Sequence, residues 1–183
     1  RSIMNLDKET GISVMRINEN LDEGPVCNQY SLKISEEMNS EELSENLSLI
    51  ASEKILDILD NIDDGNVEFK DQDHSKATYA KKIQKTEGKI DWNENAEKII
   101  GKINGLYPYP GAFFSFNGER YKILKAEKSS TTGKPGDIAS ENFEVCCGEG
   151  SIKVLSIQRE GKRVQQINEI VLGKQIKKGA NIA

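Results

Sequence analysis

The chain has 183 residues, of which 36% are hydrophobic and 30% charged, with a net charge of −5. That is the composition of a soluble globular protein with one large or two small domains, and no apolar run approaches the ~20 residues of a membrane helix. Charge divides unevenly: residues 1–79 carry −11 and residues 80–183 carry +6. The second half is thus the one suited to a polyanion, although ordinary surface variation gives such patterns too.

In chain order, "GISVMRI" (Gly11 to Ile17) is rich in β-branched residues without a helical period and reads as a strand. "VCNQYSLKI" alternates, with Tyr30, Leu32 and Ile34 on one side and Ser31 and Lys33 on the other, so it reads as a second strand. Between them "NLDEGPV" forms a tight connection that carries Asp22. A turn Asp often only satisfies nearby backbone N–H groups, and spacing alone favours that reading. Connections at strand ends are also where function concentrates.

A helix is expected over about Ser40 to Ile62, where Leu43, Leu47, Ile50, Ala51, Ile55, Ile58 and Ile62 form an apolar stripe that must pack on something. Asn39 with Glu42 resembles a capping box, and Gly65 is a plausible stop. Two strands and one helix make an incomplete layer, so the sequence reads as though its beginning has been removed.

Residues 66–89 are polar and Lys-rich, a connection with a possible short strand at "ATYAKKI". The only His in the chain, His74, falls here and reads as a solvated linker residue. A second helix follows, capped by Asn93, with Ala96, Ile99, Ile100 and Ile103 inward, and "YPYPG" ends it. The period then changes to two. "GAFFSF", "ERYKILKA", "GDIA", "FEVCCG" and "SIKVLSIQ" give five short strands with Gly-rich turns, the pattern of a small oligonucleotide-binding type of barrel. A short helix over Gln165 to Leu172, stopped by Gly173, would flank it. Cys27, Cys146 and Cys147 form no CxxC or Cys/His cluster, so no metal is expected and the thiols read as reduced and structural, as in the cytoplasm.

Three blocks, "TGISVMRINENLDEGPV", "ATYAKKIQKTEGKIDWNENAEKIIGKINGLYPYPGAFF" and "GKRVQQINEIVLGK", resemble consecutive parts of the methionyl-tRNA formyltransferase family. The resemblance covers essentially the whole chain in the family's order. It implies an α/β remnant of a Rossmann-like formyltransferase domain (residues 1–65), a linker (66–89) and a mainly β, OB-like barrel domain (90–183). It implies an enzyme of translation initiation, cytoplasmic and monomeric, that moves a formyl group from 10-formyltetrahydrofolate to the amino group of initiator methionyl-tRNA. No metal and no membrane enter that picture.

By the same resemblance the Asp of the "LD-x-G-P" stretch is catalytic, a role that passes to Asp22. Ile17, Asn18, Glu19 and Asn20 match the loop that lines the folate pocket, largely through backbone groups. Lys81, Lys82 and Lys85 match basic positions that meet tRNA, although a solvated linker explains them as well. Leu21 reads as a core anchor, and Ile90 and Trp92 as barrel packing. The family's partner Asn and His lie upstream of the matched blocks, and the fragment is expected to be inactive alone. Tyr109 stands where the family commonly has Trp, and an aromatic there would keep the packing. The competing readings are a sugar-nucleotide N-formyltransferase, which shares the Asp turn and the "IDW" and "PGA" blocks, and a non-catalytic RNA-binding module.

Overall fold

The computed structural model describes residues 1–172 and 176–183. They divide into two compact units, one of Lys8–Ser35 and Glu42–Lys81, the other of Arg1–Asp7, Glu36–Glu41 and Lys82–Ala183.

In the first unit, strands β1 (Glu9–Met15) and β2 (Val26–Lys33) pair antiparallel, with Ile12 opposite Tyr30 and a register shift at Val14/Met15. Burial follows the predicted alternation: Tyr30, Leu32 and Ile34 are half-buried, while Gln29, Ser31 and Lys33 are exposed. Helix α1 (Ser40–Asp63) begins one residue after Asn39, whose Oδ1 accepts from Glu41 N at 3.0 Å. It ends in a Schellman pair, Asn66 N to Asn61 O (2.9 Å) and Gly65 N to Ile62 O (3.1 Å), so Gly65 is the stop the sequence suggested.

The α1 stripe is only partly covered. Leu43 and Ile58 are buried and Leu47 and Ile50 half-buried, but Ala51, Ile55 and Ile62 are exposed. Leu49, Leu56 and Leu59 add further exposed apolar surface. Periodicity identifies an apolar face; it does not supply the layer that covers it. The predicted strand at "ATYAKKI" does not form. The segment's pairing comes earlier, where Lys70 and Val26 exchange both backbone hydrogen bonds, at 2.8 and 2.9 Å.

The second unit is a coiled antiparallel sheet with one longer and one short α-helix. Helix α2 (Ala96–Gly105) starts at Asn95, not Asn93, because Asn95 Oδ1 accepts from Lys98 N at 2.8 Å while Asn93 is tied to Asp91. Its predicted stripe, Ala96, Ile99, Ile100 and Ile103, is buried. Strands β3 (Ala112–Phe116) and β4 (Glu119–Ser129) are joined by Asn117-Gly118, both at positive φ (51° and 79°), the dihedral signs of a tight hairpin turn matched to strand twist.

Strand β6 (Ser151–Arg159) pairs with β4 along one edge and with β5 (Glu144–Cys146) and β7 (Val164–Gln166) along the other. Register shifts around Lys125 bend β4, giving a half-barrel curl. Trp92, Phe114 and Tyr121 form the aromatic part of the core, and Trp92 Nε1 donates to Ile182 O at 3.0 Å. Ile90 and Trp92 are packing residues, as expected.

Two strand assignments change. "GDIA" is not a strand but two isolated bridges, Ile138 to Val145 and Asp137 to Asn181. The fifth strand is β7 instead, and it takes Gln165 and Gln166 from the predicted helix, leaving α3 as Ile167–Leu172. The edge of β6 beyond β5 offers backbone partners, and a β-branched Val with two Gln residues accepts them as readily as a helix. The predicted stop at Gly173 lies outside the described residues.

Candidate functional site

The Asp22 connection is built by backbone clamps. Arg16 N donates to Pro25 O at 2.9 Å, closing the loop at its base. Only Gly fits at position 24, because a Cβ there would lie 1.7 Å from the Arg16 carbonyl oxygen. Asp22 has φ 58°, in the left-handed region where Asp and Asn are the commonest non-Gly residues. Its side chain is exposed and is not spent on capping its own turn, for among the described residues it makes no hydrogen bond.

Sequence reasoning missed what holds the turn from outside. Gln72 Nε2 donates to both Asp22 O (2.9 Å) and Gly24 O (2.7 Å). The Lys70–Val26 bridge fixes the chain two residues before Gln72, and the Arg16 guanidinium lies 4.2 Å from the Phe69 ring centroid. These residues sit in a stretch read as connection, and a lone Gln in a polar run gives no signal of its role.

Ile17, Asn18, Glu19 and Asn20 follow β1 and are all exposed, Ile17 at 88%. Asn20 N is satisfied by Asn18 Oδ1 (3.1 Å), and Asn20 Nδ2 by Glu23 Oε2 (2.9 Å). The backbone N–H groups of Ile17, Asn18 and Glu19 donate to nothing among the described residues, so they remain available to a polar ligand. Leu21 is not a core anchor: it is 89% exposed, on the tight connection between β1 and β2.

Chemically, the arrangement offers an exposed carboxylate at a rigid turn beside a strip of backbone donors. A carboxylate can hold a partner's imidazole or relay a proton through water. His74 is not that partner; it lies exposed in a 3-10 turn (His74–Lys76), and no hydrogen bond joins it to Asp22. The adjacent Cys146 and Cys147 thiols are poor nucleophiles, since burial pushes Cys147 up to about 11 and raises Cys146 as well. Among the described residues no three His, Cys, Asp or Glu side chains are grouped to hold a metal ion.

Lys81, Lys82 and Lys85 are all exposed, Lys81 in the first unit and the other two in the second. Tyr109 corrects the sequence reading. It is 67% exposed, so its ring is not packing, and the ammonium groups of Lys85 and Lys122 lie 6.0 and 5.8 Å from its centroid. Among the described residues no helix is long and apolar enough to cross a membrane.

Comparison with known proteins fits both units. The family described as "Formyl transferase, C-terminal domain" matches residues 82–175, and "Formyl transferase" matches residues 1–59. The chain belongs to the formyl transferase family. A relative is the methionyl-tRNA formyltransferase of Pelagibacter ubique, 58% identical over 183 residues, which are 100% of this chain and 59% of the relative. The chain therefore spans about three fifths of the length of the curated relatives it matches. Among solved structures, HypX from Aquifex aeolicus in complex with tetrahydrofolic acid has a TM-score of 0.71 at 18% identity, covering 97% of this chain and 33% of that one. An N-formyltransferase from Helicobacter canadensis in complex with folinic acid and dTDP-3-aminofucose gives 0.67 at 18%, covering 90% and 58%. These likenesses concern the fold: α/β elements with a curled antiparallel half-barrel, now seen to be that of a formyl transferase.

Proposed function

We propose that this chain is the C-terminal portion of a methionyl-tRNA formyltransferase, a cytoplasmic monomer that formylates initiator methionyl-tRNA with 10-formyltetrahydrofolate during translation initiation. The observation that carries this reading is the 58% identity to the Pelagibacter ubique enzyme along the full chain, Asp turn and half-barrel together. In this reading residues 1–65 end a Rossmann-like domain, 66–89 link, and 90–183 form an OB-like, tRNA-facing barrel.

The reaction makes a bond between the methionine amino nitrogen and the formyl carbon, and breaks the bond from that carbon to N10 of the folate. The developing oxyanion needs donors, and the attacking nitrogen must lose a proton, which ends on the departing N10. Asp22 supplies negative charge that orients a His from the upstream part of the enzyme and passes the proton through water. The backbone N–H groups of Ile17, Asn18 and Glu19, with Asn20, meet the polar edge of the folate. Lys81, Lys82 and Lys85 neutralise tRNA phosphates, which gives affinity with little sequence information.

Two results are expected from the chain purified alone. It binds tRNA with an affinity that falls as salt rises, and it transfers no formyl group from 10-formyltetrahydrofolate above background. Asp22 is one member of a group that acts as a unit, and one member alone leaves little chemistry. Transfer by the isolated chain would contradict the assignment of roles, and absence of tRNA binding at low salt would contradict the substrate.

A further inference from the structure

The second unit carries an aromatic and cationic cluster that formyl transfer itself does not use. Tyr109 sits at the tip of the short segment between α2 and β3, whose ends are tied by Gly111 N donating to Leu106 O at 2.9 Å. Aromatic rings of this size usually bury most of their area, yet Tyr109 is 67% exposed on a fixed loop.

Two uncommitted cations face the ring. Lys85 and Lys122 hold their ammonium groups about 6 Å from the ring (6.0 and 5.8 Å), and neither pairs with a carboxylate among the described residues. Arg120 and Arg159, by contrast, are neutralised, Arg120 by Glu160 at 2.8 Å and Arg159 by Glu119. Lys122 stands between Phe113 and Gln158 in one cross-strand row on the outward face of β3, β4 and β6. The Arg120 guanidinium covers the Phe113 ring at 5.1 Å. Beside this row lies a cleft of about 250 Å³ lined by Arg120, Lys122, Gln158, Arg159, Glu160 and Gly161, in which Glu160 is already paired with Arg120. That is smaller than sites that enclose a whole small molecule, and it suits one piece of a polymer.

We propose that Tyr109, Lys85 and Lys122 form a stacking site for an unpaired nucleotide of an RNA. The base lies on the Tyr109 ring and takes the place of one flexible ammonium, which moves to the adjoining phosphate. The second uncommitted lysine meets the phosphate on the other side. Stacking of this kind accepts any base, because every base has a π-face. This inference rests on the reading that the second unit faces tRNA, and it names where and how an unpaired part of that tRNA is held.

The test uses the full 183-residue chain, a labelled ten-nucleotide single-stranded RNA of mixed sequence, a blunt RNA duplex of the same sequence, and tRNA. Tyr109→Ala should weaken single-strand binding about 5- to 150-fold at every salt concentration, with the salt slope unchanged. Tyr109→Phe should restore it, and duplex binding should stay the same. Lys122→Ala should instead flatten the single-strand slope by about 0.7. Single-strand binding that ignores Tyr109→Ala, or an equal loss on the duplex, overturns the stacking site, while tRNA binding by the parent chain keeps the broader function standing. A chain that binds none of the three RNAs at low salt overturns both.

Discussion

Asp22→Asn should lower formyl transfer about 10⁴-fold, the loss seen when the carboxylate that orients a catalytic His is made neutral. The measurement needs an active context, made by joining to this chain the part of the Pelagibacter ubique enzyme that it does not match, about two fifths of that enzyme's length. The geometry makes the substitution specific. Asn tolerates the positive φ of residue 22 as well as Asp does. Gln72 grips the carbonyl oxygens of Asp22 and Gly24, not the carboxylate, so the turn keeps its shape. Melting temperature and tRNA affinity should therefore stay as in the parent while turnover collapses. Near-normal turnover would return Asp22 to the role of an ordinary turn residue.

Changing Lys81, Lys82 and Lys85 together to Ala should flatten the log–log dependence of tRNA affinity on salt by about 2 to 3 units, at roughly 0.7 to 0.9 per phosphate contact. Each unit is a tenfold change between 1 M and 0.1 M salt, so affinity at 0.1 M should fall on the order of 100- to 500-fold. All three side chains are exposed, so their removal leaves little packing to lose and unfolding should be unchanged. A slope that survives the triple substitution would make these lysines a solvated surface and move the tRNA contacts elsewhere. The positive charge of residues 80–183 would then need another explanation.

Much of this protein was legible where one physical signal dominates. β1 follows from its β-branched run, β2, α1 and the α2 stripe from apolar periodicity, and β3 and β4 from short alternating runs with a Gly-containing turn between them. Legibility failed where a long-range partner decides. Gln165 and Gln166 became strand because β6 offered an open edge, and "GDIA" stayed irregular because its partners, Val145 and Asn181, give it only single bridges. The candidate site divides in the same way. Asp22, an Asp before Gly-Pro, was visible as a turn residue, but its catalytic role came only through resemblance to a family. Gln72, fifty residues away in sequence, could not be read as the group that fixes it. Tyr109 and Leu21 were both taken for packing because large apolar side chains usually are, and only their exposure reveals otherwise.

The most direct measurement offers that same joined enzyme 10-formyltetrahydrofolate with methionyl initiator tRNA and dTDP-3-aminofucose in equal amounts, and follows where the formyl group goes. The account predicts N-formylmethionine on hydrolysis of the tRNA, with the amino sugar unmodified. Formyl found on the sugar, or none on methionine from a folded enzyme that binds both substrates, would contradict it.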